Sequence, residues 1–522
     1  MGILLLVAVL AVFTFRHYGL GWDDYTHAQY GDLLLSFYAS GFQDRRALAF
    51  VNLYEYGGGF DMAAALAAKV LPFDLFETRR LCGALVGILG MAATWRIGRR
   101  IGGPLAGAVA TALIAACPLY VGHMFMNPKD APFAAAMALL ILAMVRMLQE
   151  YPRPAAGTIV PFGLGLGLAV GSRVLGFLSA LYVLPSLVLL LAVESRHDGL
   201  RAAAARMGRF VLAMLPGLVL AYAVMAVVWP WAALAPLNPL RALGYFSRFF
   251  ESPWSELFGG VLVPVTDMPR RYLPTLMGLK LPGILLLLGS VGAIGALVAT
   301  ARGTVSVNRR AALLMLALAA LLPVALAVAT RPAMYNGIRH FLFVLPPLAA
   351  LGGLAAAWIV ERLRDRLFAL GVATAVLGAG LVLPALAMVR LHPYEYTYFN
   401  RAAGGMPSAA KRFMLDYWGL SFKQASQALL ATLRQRGERP PGGTWEIAVC
   451  GPHPPARVAL GPEFVLTWDP KGADFAMMLG TFYCAKLDAP VLAEVKRAGV
   501  VYARVYDIRG RSVESILTRP PP

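Results

Sequence analysis

Apolar runs of about twenty residues recur along this chain, and a run of that length crosses the hydrocarbon of a bilayer as a single helix. They fall at 2–20, 77–95, 103–121, 131–149, 157–171, 174–193, 210–230, 276–299, 311–330, 341–360 and 367–390. A backbone in lipid must satisfy its own hydrogen bonds, so such runs become helices rather than strands of an open sheet. Only 14% of the 522 residues are charged, against roughly 25% in ordinary globular domains. The expected fold is therefore mainly α: a polytopic membrane bundle of about eleven helices. The first run has no basic leader and no small-residue cleavage site, so it reads as a membrane helix.

The formal net charge is +19, most of it arginine. Nucleic-acid binding is one reading of so basic a chain. Here the arginines cluster in short connections, so membrane topology accounts for them better and no nucleic-acid partner is expected. Arg96, Arg99 and Arg100, then Arg146 and Arg153, Arg196 to Arg209, Arg302 to Arg310 and Arg362 to Arg366 mark every second connection. Those connections are expected to be cytoplasmic, with the N-terminus on the same side.

The opposite side then carries a long first loop, 21–76, a loop over 231–275 rich in Pro, Trp and Phe, and everything after about 391. Within the first loop, 31–41 is apolar enough to lie along the interface as a helix. Gly57-Gly58-Gly59 marks a turn or a close backbone approach. The membrane part is expected over 1–390 and a small α/β domain over 391–522. In that domain 420–436 reads as an amphipathic helix, 445–450, 463–468, 475–482 and 500–506 as strands, 491–498 as a helix, and the Pro-rich tail as disordered. Cys82 and Cys117 sit in apolar runs as packing residues. Cys450 and Cys484 can pair if the domain is extracytoplasmic.

The candidate functional residues all fall on that side. Asp23 and Asp24 form an acidic pair directly after the first run, followed by His27. Adjacent acids near lipid repel and lose solvation, although an Asp here also suits a helix N-cap. Asn127-Pro128-Lys129-Asp130 lies between two apolar runs, where charge is costly unless paired or bound; Asp130 as an N-cap with Pro132 behind it is the structural alternative. Arg173 either binds a ligand or snorkels to head groups. Tyr335 to Phe341 puts Arg339 and His340 at a helix N-terminus, where cations oppose the dipole unless an anion such as phosphate binds there. A lipid-head-group anchor is the alternative. Arg248, Arg270, Arg271, Lys280, His392, Glu395 and Asp416 complete the set. Asp416-Tyr417-Trp418-Gly419 either faces carbohydrate or packs between membrane and soluble parts. Walker A, GxGxxG and HExxH patterns are absent. An acidic pair can hold a divalent cation, so a metal between Asp23 and Asp130 is one arrangement to test.

These residues give the chain a family likeness. Asp23-Asp24 with His27, Arg79 in 77–81, Asn127–Asp130, Trp229-Pro230-Trp231, Tyr272-Leu273-Pro274 with Lys280-Leu281-Pro282, and Tyr335–Pro347 resemble the GT-C glycosyltransferases. The chain looks most similar to the dolichyl-phosphate-mannose–protein O-mannosyltransferase and lipid A aminoarabinose-transferase group, over roughly residues 15–390. The resemblance implies a transferase in a bacterial cytoplasmic membrane, working on the periplasmic face. It would move a sugar from a polyprenyl-phosphate donor to a hydroxyl acceptor with inversion. In the family the first acid of an Asp-Glu pair is the general base. Asp23 takes that position and Asp24 replaces the glutamate, which leaves open which of the two is the base. The family's His-Pro-Pro motif in the first loop is missing, with Tyr54 to Gly58 standing there. A leaving polyprenyl phosphate calls for cations, so Arg339 and His340, with Arg270 or Arg271 as helpers and Lys280, are expected at the donor phosphate. His27, Lys129, Asp130, Arg173 and Tyr335 are expected to bind substrate. A lipid or lipid-linked-sugar flippase is the competing reading, but the charges gather at one face rather than at mid-membrane.

Overall fold

The computed structural model describes residues 1–247, 254–303 and 305–519; Arg248 and the last residues of the proline-rich tail lie outside these. The membrane part contains α1 (Gly2–Thr14), α2 (Asp24–Ala39), α3 (Gly59–Ala68), α4 (Leu75–Ala115), α5 (Pro118–Met126), α6 (Asp130–Gln149), α7 (Ala156–Ser172) and α8 (Leu178–Asp198). It continues with α9 (Leu200–Val228), α10 (Pro230–Leu234), α11 (Asn238–Ser247), the hairpin β1 (Ser255–Phe258) and β2 (Val261–Pro264), and α12 (Tyr272–Lys280). Then come α13 (Gly283–Arg302), α14 (Val307–Thr330), α15 (Leu345–Leu363) and α16 (Leu367–Leu391). Among the described residues eight helices are long and apolar enough to cross a membrane by length and composition. The chain is a multi-pass membrane protein.

Helix α4 is 41 residues long but is not one rod, because Gly103 adopts φ 82° and Pro104 follows. The chain folds back there: a Cβ on Gly107 would lie 2.8 Å from the Trp95 carbonyl. The runs at 77–95 and 103–121 thus become antiparallel neighbours. The run at 276–299 is also divided, since Pro282 separates α12 from α13. Small residues let the helices approach closely. A Cβ on Gly353 would sit 2.1 Å from the Ala106 carbonyl, and one on Gly292 would sit 2.0 Å from that of Leu351. Dispersion over such close contacts holds helices together in lipid, where no hydrophobic drive separates helix from solvent.

After α16 the chain forms α17 (Gly405–Ala410), α18 (Phe422–Gln435), β3 (Trp445–Cys450), α19 (His453–Leu460), β4 (Phe464–Thr467), β5 (Phe475–Leu479), β6 (Lys486–Leu487), β7 (Val491–Arg497), β8 (Val500–Asp507), α20 (Val513–Ile516) and β9 (Leu517–Arg519). Five strands make a sheet in the order β4-β3-β5-β8-β7. The segment 491–498, expected to be helical, is strand β7. Its side chains alternate in burial, and it pairs antiparallel with β8. Ala498 and Gly499, at φ 46° and 79°, make the two-residue turn between them, the geometry that matches strand twist in a hairpin. Cys450 and Cys484 are disulfide-bonded. The sheet's helix α18 and the preceding aromatic loop rest on the membrane part: Tyr394, Tyr396 and Trp418 are buried, and a Cβ on Gly19 would lie 2.1 Å from the Leu420 carbonyl.

Candidate active site

One end of the bundle gathers the beginnings of α2, α6 and α15 and the ends of α7 and α9. Asp23 occupies the N-cap position of α2 but makes no side-chain capping bond. Its Oδ2 lies 3.1 Å from Lys129 Nζ, and a quarter of its side chain stays exposed. Burial pushes its carboxyl up, yet Lys129 and Arg339 outweigh that and hold it at about 2.

Asp24 faces the other way. Its Oδ1 accepts from Arg79 Nε at 2.7 Å and its Oδ2 lies 3.4 Å from Arg80, all within the core. Arg80 also donates to the carbonyls of Tyr18, Gly19 and Phe76, and so fixes the chain that leads from α1 into α2. Arg79 continues to Asp61 Oδ1 at 2.7 Å, and Asp61 Oδ2 lies 2.6 Å from His27 Nδ1. The acidic pair is thereby divided: Asp24 is committed to structure and Asp23 is turned toward the open site.

Around Asp130 the charges are also paired. Lys129 is the N-cap residue of α6, and Asn127 Oδ1 accepts from the Lys129 and Asp130 amides, so the Asn127 side chain and not that of Asp130 holds the turn into the helix. Asp130 Oδ2 accepts from Arg339 at 3.1 Å and from Asn127 Nδ2 at 2.9 Å. Arg173 reaches Asp130 Oδ1 at 2.6 Å as an ion pair, off the line of a hydrogen bond. The anion that offsets cations at the start of the 339–344 turn is thus the protein's own Asp130. Asp130 is therefore not available to bridge a cation with Asp23. Among the described residues, no group of three His, Cys, Asp or Glu is placed to hold a metal.

Tyr56 ties the first loop to these cations. Lys129 Nζ is 5.1 Å from its ring centroid and the Arg173 guanidinium carbon 5.6 Å. The loop is docked by Trp229, whose indole donates to the Tyr54 carbonyl at 2.9 Å, and by Gly58, whose amide donates to the Val228 carbonyl. Arg339 lies 4.9 Å from the Tyr335 ring and 5.2 Å from that of Trp418, and His340 stands tilted against Tyr335. From these groups a largely apolar groove of about 470 Å³ runs away between the helices, with Arg173, His340, Tyr335 and Tyr56 at its polar end and Leu175, Leu178 and Leu326 along its walls.

Nine of the residues expected from the sequence meet here: Asp23, Asp24, His27, Lys129, Asp130, Arg173, Tyr335, Arg339 and His340. Three do not. Arg270 and Arg271 are exposed and pair with no carboxylate among the described residues. Lys280 is buried 4.2 Å over the Phe399 ring, packed beside Gly337 instead of joining the ion pairs. Asp416 is a turn holder: its oxygens accept from the Leu420 and Ser421 amides and from Tyr396. Trp418 accordingly packs at the junction of the two parts. His392 and Glu395 pair at 2.7 Å, away from the cluster.

The sequence reading missed Asp61, Tyr56 and Glu256. A lone Asp in the alanine-rich stretch that forms α3 was a signal, since buried charge there demands a partner. Glu256 gave none. It reaches from β1 to accept from Tyr272 Oη at 2.6 Å and from the amides of Asn336 and Gly337, holding the turn that presents Arg339.

Residues 60–231 match the family described as dolichyl-phosphate-mannose-protein mannosyltransferase. The fold is similar to that of ArnT from Cupriavidus metallidurans in its apo crystal structure (TM-score 0.50, 17% identity, covering 97% of this chain and 98% of that one). It is also similar to the oligosaccharyltransferase of Archaeoglobus fulgidus in the apo form (TM-score 0.50, 13% identity, 91% of this chain and 65% of that one). A further structure of the archaeal enzyme, AglB from the same organism in complex with an inhibitory peptide and a dolichol-phosphate, gives a TM-score of 0.50 at 12% identity over 86% of this chain and 62% of that one. No curated protein matches the chain. The chain thus shares the overall fold of these structures, and its family match lies within residues 60–231.

Proposed function

We propose that the chain transfers a sugar from a polyprenyl-phosphate-linked donor to a hydroxyl acceptor, with inversion, on the periplasmic face of a bacterial inner membrane. The observation that carries this is the apolar groove whose polar end holds Arg173, which pairs with Asp130 in the same ion-pair cluster as Arg339. Arg173 and Arg339 each keep a buried Nε–H without a hydrogen-bond acceptor, a cost of about 1–3 kcal/mol per group that a phosphate oxygen would remove. Three cations, Lys129, Arg173 and Arg339, face two carboxylates, Asp23 and Asp130. The excess positive charge suits a phosphate that gains negative charge as it leaves. The donor's apolar tail takes the groove. The acceptor hydroxyl meets Asp23, its oxygen attacks the anomeric carbon, and polyprenyl phosphate departs from the opposite face. The Cys450–Cys484 disulfide and the arginine-rich connections at the far ends of the helices support the periplasmic placing of this face.

The test is release of label from a panel of radiolabelled undecaprenyl-phosphate sugars by the purified protein in lipid. Wild type is expected to turn over at least one. Asp23→Asn is expected to lose transfer by about 10²–10⁴-fold while binding the donor as before. Absence of turnover and of donor binding with every sugar removes the reading and leaves lipid translocation to be measured.

A further inference from the structure

His27 has a role that its position beside the acidic pair does not by itself explain. It lies in the first turn of α2, 2% exposed, and its Nδ1 is 2.6 Å from Asp61 Oδ2. The ionised carboxylate of Asp61 only accepts hydrogen bonds, so the Nδ1 atom carries the proton. The buried charges around it already balance: Asp24 and Asp61 against Arg79 and Arg80. With Nδ1 engaged by Asp61, Nε2 is the ring nitrogen left to take a proton. That Nε2 atom is buried and has no hydrogen-bond partner. A buried acceptor without a donor costs about 1–3 kcal/mol and marks the place where a proton-donating group arrives.

Asp23 stands four residues earlier, which puts the two side chains on one face of the helix, one turn apart. A carboxyl held at about 2 by Lys129 and Arg339 orients a hydroxyl well but is a poor resting place for a proton at neutral pH. A neutral imidazole fixed by a carboxylate is a far better one, as in a nucleophile–base–orienter arrangement.

We propose that His27, held in one tautomer by Asp61, is the final acceptor of the proton released from the acceptor hydroxyl. This inference rests on the glycosyltransferase reading of the site. The acceptor O–H bond breaks while its oxygen forms the bond to the anomeric carbon. The carbon–oxygen bond to phosphate breaks, and its electron pair leaves with the phosphate. The proton passes by the Asp23 carboxylate to His27 Nε2, and the imidazolium so formed keeps its Nδ1–H on Asp61. In this scheme Asp23 meets the hydroxyl, His27 takes the proton from it, and Asp61 positions His27.

Two measurements test it. The first needs no turnover: ¹⁵N NMR of histidine-labelled full-length protein in nanodiscs at pH 7.5, with the His27 signal assigned by its loss in His27→Gln. A neutral ring protonated at Nδ1 is expected; an imidazolium, or a proton on Nε2, overturns the proposal. The second uses whichever undecaprenyl-phosphate sugar the wild type turns over. His27→Gln is expected to lower kcat by about 100-fold or more with the donor KM within twofold, and added imidazole is expected to restore His27→Ala at least tenfold. Retention of kcat within threefold in His27→Gln, or no rescue of a folded His27→Ala, overturns it. Should wild type turn over no donor, the glycosyltransferase reading falls and the proposal with it. Should wild type and the His27 variants turn over alike, only the proton's destination falls.

Discussion

Asp24 gives both carboxylate oxygens to buried guanidiniums, whereas Asp23 gives one oxygen to Lys129 and keeps part of its side chain open. Removing the first charge leaves Arg79 and Arg80 unbalanced in the core. Asp24→Asn is therefore expected to destabilise by about 3–5 kcal/mol, read as loss of monodisperse protein or a large fall in Tm. Asp23→Asn is expected to keep its Tm within a few degrees and to lose turnover. The two variants separate a structural acid from a reacting one, which the sequence Asp-Asp leaves unresolved. Acidity gives a second check. Asp23 is depressed from its ordinary value to about 2, so its ion-pair contribution is complete above about pH 4 and is lost as pH falls toward 2. A rate limb that falls between pH 5 and 8 then belongs to a group other than Asp23, and the same limb is expected in Lys129→Arg.

Gly57 and Glu256 act at the scale of elements, by setting where loops land. A Cβ on Gly57 would lie 1.2 Å from the Gly171 carbonyl, because the first loop crosses directly over the end of α7. Gly57→Ala is expected to cost at least the upper end of the about 1–3 kcal/mol seen for overpacking and to shift Tyr56 away from Arg173. The measurable result is weaker donor binding together with a lower Tm. The glycine run announced a close approach but could not say to what, since the partner lies 114 residues on in the chain. Glu256 accepts from two backbone amides and one phenol. Glu256→Ala leaves those donors buried and unmet, at about 1–3 kcal/mol each, and frees the turn at Asn336-Gly337. Donor affinity is expected to fall with it. The β7 strand shows the same limit from another direction. Val491 to Arg497 has enough helix formers to pass as a helix, and the pairing with β8 decides otherwise.

Across the whole molecule, the C-terminal part is joined to the active end through Trp418, which packs on Gly21 and faces Arg339. Tyr417 Oη stands 3.4 Å from His123 Nε2. Disrupting the sheet is thus expected to reach the site. The Cys450–Cys484 bond closes a loop of 34 residues, and Cys450→Ser with Cys484→Ser is expected to cost about 2–4 kcal/mol. Thiol counting of unfolded, unreduced protein is expected to find Cys82 and Cys117 only.

The apolar run lengths determined by themselves that this chain is a membrane helix bundle. Nine of the residues that meet at one end were legible as polar groups beside lipid. Those are properties of single segments against a solvent, which a sequence records directly. Only the tertiary structure decided which charge meets which. It sent Asp24 inward and Asp23 outward, brought Asp61 to His27, and left Arg270, Arg271 and Lys280 outside. The pairing of a buried charge depends on distances of 3 to 4 Å between segments far apart in the chain, and Coulomb energies and desolvation both turn on those distances.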